Sequence, residues 1–229
     1  MNRPTSLPVA ISPTPDWWAD LRERFWRLLP LKAIGISAFM WLFFVGYFHT
    51  LRHPAYPVFE MPRTSLDALV PFQPEALLVY GSLWFYVGIA PGLLLRLREL
   101  VVYGLWAAAL CGCGLFFFYF WPTAVPAPDV DVSAYPGFAV LQGVDAAGNA
   151  CPSLHVATAV FTAIWVDRLM RLVRAPGAWR WANVIWVLAI AWSTVAIRQH
   201  VVLDALAGAA LGTALAALSL WLSPWIGRR

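Results

Sequence analysis

The sequence predicts an all-α integral membrane protein, built as a bundle of six transmembrane helices. Of the 229 residues, 61% are hydrophobic and only 12% are charged, which is roughly half the charged fraction of a soluble domain. Six apolar stretches are each close to the length that crosses about 30 Å of hydrocarbon. We expect one membrane domain over residues 31–229, preceded by an N-terminal segment over residues 1–30.

The N-terminal segment starts with a proline-rich stretch where a signal peptide would need an apolar core, so we expect it to remain on the protein. Residues 17–29 then carry aromatic and aliphatic side chains at helical spacing. These are Trp18, Leu21, Phe25 and Leu28, and the side chains opposite them are Arg22, Arg24 and Arg27. The pattern predicts an amphipathic helix that lies at the membrane interface.

The six apolar stretches are residues 31–50, 75–95, 99–121, 153–172, 181–198 and 201–222. The chain must reverse tightly between the last two, because only Arg198, Gln199 and His200 separate them. The loop over residues 122–152 contains five prolines and no lysine or arginine. We expect this loop to form a structured cap over a functional site.

Positive charge predicts the orientation. Thirteen of the sixteen lysines and arginines fall on one side of the predicted bundle, and the exceptions are Arg52, Arg63 and Arg198. The positive-inside rule then places both termini in the cytoplasm. All four histidines also fall on the extracytoplasmic side, and so do five aspartates; these residues are His49, His53, His155, His200, Asp67, Asp129, Asp131, Asp145 and Asp204. Their clustering in a chain so poor in charge indicates a site on that face.

His200 and Asp204 are four residues apart, so a helix that begins near residue 200 would place them on one face. The carboxylate can then fix the tautomer of the imidazole and leave its other nitrogen free to act as a nucleophile or base. An ordinary helix-end hydrogen bond uses the same spacing. An acid inside a membrane span favours the functional interpretation, because it is costly unless it is paired or used.

Pro152 is predicted to be the first residue of a helix, where its missing N–H has no cost. The N–H groups of Ser153, Leu154 and His155 would then face outward and attract an anion such as phosphate. A simple capped helix start is the alternative. Together with His200 this arrangement predicts phosphoryl transfer without a metal or other cofactor: His200 attacks phosphorus, and His155 protonates the departing oxygen.

Two motifs, CPSLHVA over residues 151–157 and STVAIRQHVVLDALAG over residues 193–208, resemble the type 2 phosphatidic acid phosphatase (PAP2) superfamily. The resemblance is to the branch that contains inositol-phosphorylceramide synthases and related bacterial proteins, because PSLH stands where the commoner phosphatases have PSGH. LDALVPFQPEALLVYGS and VDAAGNACPSLH resemble the same branch. The resemblance spans about residues 63–212.

The resemblance implies an acid at His155, a phosphohistidine nucleophile at His200 and an orienting carboxylate at Asp204. It also implies a lipid phosphatase or lipid phosphotransferase of a bacterial cell membrane, with a lipid phosphate as substrate. The acceptor would be water, or an alcohol in a phospho-head-group transferase. Nothing in the composition points to nucleic acid.

The chain departs from the commoner phosphatases in its cations. Thr194 stands where the third motif has an arginine, and Ala127 stands where the first motif has an arginine before proline, with no lysine nearby. We expect Arg198 and Arg63 to supply part of the missing charge. Asn149 is expected either to hold the loop before the helix start or to hydrogen-bond a head group. Fewer cations imply weaker electrostatic stabilisation of the transferred group.

His49 and His53 form a second pair of histidines four residues apart, a spacing that is compatible with a metal or haem. A bis-histidine redox protein is therefore a more remote alternative, and it would need all four histidines as ligands. Pro54 predicts that the helix ends beside this pair. Asp167 and Arg171 form a further pair at this spacing, which we interpret as structural.

Overall fold

The computed structural model describes residues 16–128, 135, 138 and 148–228. Its helices are α1 (Trp17–Trp26), α2 (Leu29–Arg52), α3 (Ser65–Ala68), α4 (Ala76–Gly81), α5 (Leu83–Tyr86), α6 (Ile89–Gly92), α7 (Leu97–Phe120), α8 (Leu154–Leu172), α9 (Gly177–Ala196) and α10 (Val202–Leu222). Most of the predicted cap loop, including Asp129, Asp131 and Asp145, lies outside the described residues.

Three of these helices are long and apolar enough to cross a membrane, namely α2, α7 and α10, with 24, 24 and 21 residues. At 1.5 Å per residue, 21 residues span about 31 Å, which matches the hydrocarbon thickness. The helices α8 and α9 have 19 and 20 residues and carry charges near one end. The protein is thus mostly helical with three candidate membrane spans, and a six-span bundle remains a prediction.

The second apolar stretch is not one regular helix. It forms α4, α5 and α6, which together run from Ala76 to Gly92 and are called the interrupted helix below. Ser82 donates its hydroxyl to the Val79 carbonyl, and the Gly88 N–H bonds three residues back to Phe85. Glycine and back-bonding serine both weaken regular α-helix, which explains the interruptions.

The helix α8 lies at the centre of the molecule and packs against α10, α9, α7 and the interrupted helix. Its side chains Phe161, Trp165 and Leu169 are almost completely buried. The Trp165 indole N–H donates to the Ser219 hydroxyl of α10 at 3.0 Å. This packing fixes the start of α8 against the start of α10, where the two histidine motifs lie.

Arg24, one of the arginines predicted opposite the apolar residues of α1, is buried, with its side chain only 2% exposed. Arg24 pairs with Asp20 at 2.8 Å and also points to the Leu93 carbonyl. Lys32 donates to the carbonyls of Arg24 and Gly92 at 2.6 and 2.7 Å. The unpaired carbonyls at the end of the interrupted helix attract cations inward, because helix C-termini carry partial negative charge.

Two short strands interrupt the otherwise helical fold. β1 (Phe59–Glu60) pairs in parallel with β2 (Thr123–Ala124), with Phe59 opposite Thr123. Beyond the strands, the Arg63 guanidinium donates to the Ala127 carbonyl at 2.7 Å. The segment between α2 and α3 is thereby held against the segment that follows α7.

Candidate active site

The start of α8 differs from the prediction. The helix begins at Leu154 with Ser153 as its N-cap, so Pro152 lies before the cap, after a cis peptide bond, and not at the first helical position. The Ser153 N–H is not available to an anion, because it donates to the Asp204 carbonyl at 3.0 Å. Ser153 is fully buried, and its hydroxyl accepts from the Val156 N–H. Serine favours this capping role, so the helix start follows the alternative that the sequence left open.

The turn between α9 and α10 positions His200. The N–H groups of Gln199 and His200 both donate to the Thr194 carbonyl at 3.0 Å, and Arg198 adopts a left-handed φ of 63°. This is a common way to end a helix. The next helix begins at Val202, so His200 precedes it and does not lie on its face as predicted.

The structure brings the two histidine motifs together. Nδ1 of His155 lies 3.1 Å from Nε2 of His200, at hydrogen-bond distance. Nδ1 of His200 lies 3.5 Å from Oδ2 of Asp204, an ion-pair distance that is slightly long for a hydrogen bond. His200 is 6% exposed and Asp204 is completely buried. The three residues therefore form a continuous row of ionisable groups.

Asp204 also shapes the backbone around His200. Its Oδ2 accepts from the Val201 N–H at 3.1 Å, while Oδ1 is buried with no hydrogen-bond partner among the described residues. Nδ1 of His200 is likewise buried without a hydrogen bond from the described part of the chain. A shift of a few tenths of an ångström would convert the approach between these side chains into a charge-assisted hydrogen bond.

Tyr80 is a site residue that the sequence analysis missed. Its hydroxyl lies 2.7 Å from Nε2 of His155, and its side chain is 2% exposed. The ring of Trp84, one turn further along the interrupted helix, meets the His155 ring edge-on at 6.3 Å. The only signal was that Tyr80 lies in LDALVPFQPEALLVYGS, a segment already noted for its family resemblance.

Two cavities adjoin the histidine pair from different sides. A mostly apolar cavity of about 940 Å³ is lined by His155, Tyr80 and Trp84 at one end and extends to Lys32. A smaller cavity of about 190 Å³ is lined by His200 together with polar side chains, which are Arg63, Thr64, Asp67 and Arg198. His155 thus borders the apolar space and His200 borders the polar space.

Both arginines predicted to bind phosphate border the polar cavity. Arg63 is exposed, and Arg198 donates to the Val70 carbonyl at 2.9 Å. Nε of Arg198 is buried and lacks a hydrogen-bond partner among the described residues. Thr194 is buried where the commoner phosphatases have arginine, and its hydroxyl donates to the Ala191 carbonyl.

Of the two roles expected for Asn149, the structure shows the loop contact. The Asn149 amide donates to the Tyr47 carbonyl and to the Thr50 hydroxyl, so both of its N–H groups hold the loop against the end of α2. The Leu154 side chain is 5% exposed and packs on Gly114 of α7, at the wall of the apolar cavity. The predicted contact of the Leu154 N–H with an anion stays a prediction.

Cys151 is the nearest thiol to this row of residues. Burial, and the negative charge of Asp204, raise the pKa of the Cys151 thiol to about 11. The group is therefore protonated at neutral pH and is a poor nucleophile, because the thiolate is the reactive form.

The four histidines form two separate pairs. The rings of His49 and His53 stack with centroids 4.9 Å apart at the exposed end of α2, which ends at Arg52 as Pro54 predicted. Within the described part of the chain, no group of three or more histidine, cysteine, aspartate or glutamate side chains could hold a metal ion. The pair Asp167–Arg171 forms as predicted at 2.7 Å, and Arg180 joins it at 2.6 Å.

Fold and site together define a mostly helical membrane protein in which two imidazoles and a carboxylate meet at the start of two packed helices. A family model described as the PAP2 superfamily matches residues 99–228, more than half of the chain, and the protein belongs to this superfamily. Membership suggests phosphatase or phosphotransferase activity on phosphorylated lipid-like substrates. No curated protein and no solved structure gives a significant match to the chain.

Proposed function

We propose that this protein is a membrane lipid phosphatase or phosphotransferase that works through a phosphohistidine on His200. The observation that carries the proposal is the 3.1 Å approach of His155 Nδ1 to His200 Nε2. Two imidazoles at this distance can both contact one phosphoryl group when that group lies between them and replaces their hydrogen bond.

In the first step, Nε2 of His200 attacks phosphorus in line, and the bond from phosphorus to the ester oxygen breaks. Protonated His155 gives its Nδ1 proton to that oxygen, which leaves as an alcohol. The positive charge that develops on the phosphorylated His200 ring is stabilised by the Asp204 carboxylate at 3.5 Å.

In the second step, neutral His155 takes a proton from the acceptor through Nδ1. The acceptor oxygen attacks phosphorus, the bond to Nε2 breaks, and both imidazoles return to their starting states. Water as the acceptor gives a phosphatase, and an alcohol gives a transferase. The same residue serves as acid and then as base, as microscopic reversibility requires.

Arg63 and Arg198 are the proposed ligands of the phosphoryl oxygens. The hydrogen bond from the Arg63 guanidinium to the Ala127 carbonyl supports Arg63, because Ala127 stands at the position where the commoner phosphatases have arginine. The buried Nε of Arg198 supports Arg198 as the second phosphate ligand. A phosphate oxygen would accept from this donor, which has no hydrogen-bond partner among the described residues.

The apolar cavity supports a lipid substrate. Its volume of about 940 Å³ falls within the range of ligand sites, and its apolar walls suit a hydrocarbon chain. Because His155 borders this cavity, the alcohol that it protonates would be the lipid part of the substrate. The lipid would enter sideways between the helices.

A phospho-head-group transferase, similar to the inositol-phosphorylceramide synthase branch, is the second candidate. The observation that favours it is the polar cavity beside His200, which offers space for a hydrophilic head group that stays on phosphorus. We further propose a bacterial cell-membrane location with six spans, cytoplasmic termini and a site on the extracytoplasmic face. The charge distribution along the chain supports this orientation.

The test is a screen of lipid phosphates and phosphodiesters with purified protein in EDTA, with and without alcohol acceptors, that measures inorganic phosphate and new lipid. We expect turnover without added metal. His200→Ala and Asp204→Asn should each reduce turnover at least about a hundredfold, because each removes part of the nucleophile. His53→Ala, which removes an exposed imidazole of the other pair, is the matched control. Unchanged turnover in both site variants would refute the proposal.

A further inference from the structure

The hydrogen bond between Tyr80 and His155 adds a residue that the proposed mechanism does not use. The 2.7 Å contact joins the interrupted helix to the second residue of α8. Both groups border the apolar cavity, where a polar group without a partner is costly. The nitrogen that Tyr80 contacts is Nε2, whereas Nδ1 of the same ring faces His200.

We infer that Tyr80 is a positioning residue whose hydroxyl holds Nε2 of His155, so that Nδ1 is presented to the phosphoryl group and the ring can carry a proton. A tyrosine hydroxyl can do this in both protonation states, because it donates and accepts hydrogen bonds. It accepts from Nε2–H of the imidazolium, and it can donate to Nε2 of the neutral ring. The role in turnover rests on the proposed function, but the contact and its effect on the ring do not.

The proton positions along the row are consistent with this role. When Nδ1–H of His200 points to Asp204, Nε2 of the neutral His200 ring carries no proton and can only accept a hydrogen bond. The donor of that bond is Nδ1–H of His155. Tyr80 then faces Nε2 as acceptor for the charged ring. Hydrogen bonds to an ionised group are stronger than neutral ones, so Tyr80 favours the imidazolium that protonates the leaving oxygen.

The ionisable groups that face His155 come from three directions. Tyr80 comes from the interrupted helix, His200 with Asp204 comes from the start of α10, and Cys151 stays neutral on the preceding loop. Across the apolar cavity, α2 and α7 contribute Tyr47, Tyr103 and Cys111, which are neutral near pH 7. Lys32 lies at the far end of that cavity.

Tyr80→Phe and Tyr86→Phe form a matched pair of variants. Each removes one hydroxyl from a tyrosine of the interrupted helix that is at most 2% exposed. The Tyr86 hydroxyl donates to Asn183 at 2.6 Å and does not touch the histidine pair. Each variant therefore loses one buried hydrogen bond. Tyr80→Phe loses the bond to His155, and Tyr86→Phe loses the bond to Asn183.

The first measurement requires no substrate. The His155 ring is titrated by NMR in protein labelled with ¹⁵N-histidine, and its signals are assigned from their loss in His155→Gln. We expect Tyr80→Phe to shift the midpoint downward by about one pH unit, because the imidazolium loses the acceptor of its Nε2 proton. Tyr86→Phe should titrate like the wild type. An unshifted midpoint in Tyr80→Phe, or an equal shift in both variants, overturns the inference.

The second measurement follows hydrolysis of dioctanoyl phosphatidic acid in detergent as a function of pH. We expect Tyr80→Phe to lower kcat at least tenfold at pH 7.5 and to move the alkaline limb of the profile to lower pH, with KM changed less than threefold. Tyr86→Phe should keep the wild-type profile. Matching profiles for the two variants would overturn the role of Tyr80 in an active enzyme. Lack of turnover by the wild-type protein would count against the proposed function, and the NMR titration would still decide the contact.

Discussion

At the residue scale, Asp67 of α3 connects the segment between α2 and the interrupted helix to the candidate site. Its Oδ2 accepts from both the N–H and the hydroxyl of Thr64 at 2.7 Å, and its Oδ1 accepts from the Val202 N–H at 2.7 Å. Val202 is the first residue of α10, so Asp67 caps that helix from outside its own segment. Although burial alone would raise it, these hydrogen bonds hold the pKa of Asp67 below its usual value of 3.8.

We predict that Asp67→Asn lowers the free energy of unfolding by about 1–3 kcal/mol at pH 7, because an amide nitrogen cannot accept from the Thr64 and Val202 donors. The stabilisation from a depressed carboxyl pKa is fully present above the unfolded pKa and is lost as the pH falls through the folded pKa. The stability difference between wild type and variant should therefore hold at pH 5 and shrink below about pH 4. Chemical denaturation in detergent measures it. A difference that grows on acidification would contradict this role.

The sequence indicated which ionisable side chains meet better than it indicated their individual contacts. His155, His200 and Asp204 followed from spacing and resemblance, and the structure brings them together. Tyr80 could not be predicted, because its partner is 75 residues away and the contact depends on how helices pack. The N–H of Ser153 was assigned to phosphate, but the approach of α10 uses it for a backbone hydrogen bond.

At the element scale, the site depends on the close approach of α10 to α8. Gly208 and Gly212 lie one turn apart on α10 and face backbone carbonyls of α8. A Cβ at Gly208 would overlap the Ser153 carbonyl, and one at Gly212 would overlap the Ala157 carbonyl. Small residues four apart commonly allow such contact between membrane helices. The contact sets the separation of His155 from His200.

We predict that Gly208→Ala lowers activity at least tenfold and destabilises the fold by about 1–3 kcal/mol, since neither backbone can yield without moving a helix. Gly104→Ala is the control, because Gly104 lies within a helix and has no atom near the added methyl group. The control should be neutral or slightly stabilising, since alanine favours helix over glycine. Activity and thermal unfolding should be measured together. Equal effects of the two substitutions would contradict the packing argument.

Hydrophobicity predicted where the elements lie but not their regularity. Each of the six apolar stretches contains helix, although the second contains three short helices in place of one. Periodicity also grouped Arg24 with Arg22 and Arg27 opposite the apolar residues of α1, whereas Arg24 is buried and points to the Leu93 carbonyl of a distant segment. Such partners belong to the tertiary fold, and local patterns do not include them.

At the scale of the whole molecule, the open prediction is how often the chain crosses the membrane. The long helices α2, α7 and α10 satisfy the length requirement, while the interrupted helix of 17 residues is short at about 26 Å. Short segments can still cross if the bilayer thins or flanking side chains reach the interface. The charge distribution continues to favour six crossings.

We predict that residues 56 and 178 lie on opposite sides of the cell membrane. Tyr56 is exposed after α2, and Ala178 is exposed at the start of α9. With the native cysteines replaced by alanine, Tyr56→Cys should react with a membrane-impermeant maleimide in intact cells, and Ala178→Cys should react only after lysis. Labelling of both in intact cells, with a cytosolic cysteine protein remaining unlabelled, would contradict the six-span orientation.

The most direct test of the mechanism is to trap the phosphoenzyme. We expect ³²P from labelled dioctanoyl phosphatidic acid to form an acid-labile, alkali-stable adduct whose label maps to the peptide that contains His200. The adduct should be absent in His200→Gln and present in the matched control His53→Gln. Recovery of the label in His200→Gln, or on a peptide that does not contain His200, would contradict a phosphohistidine at His200.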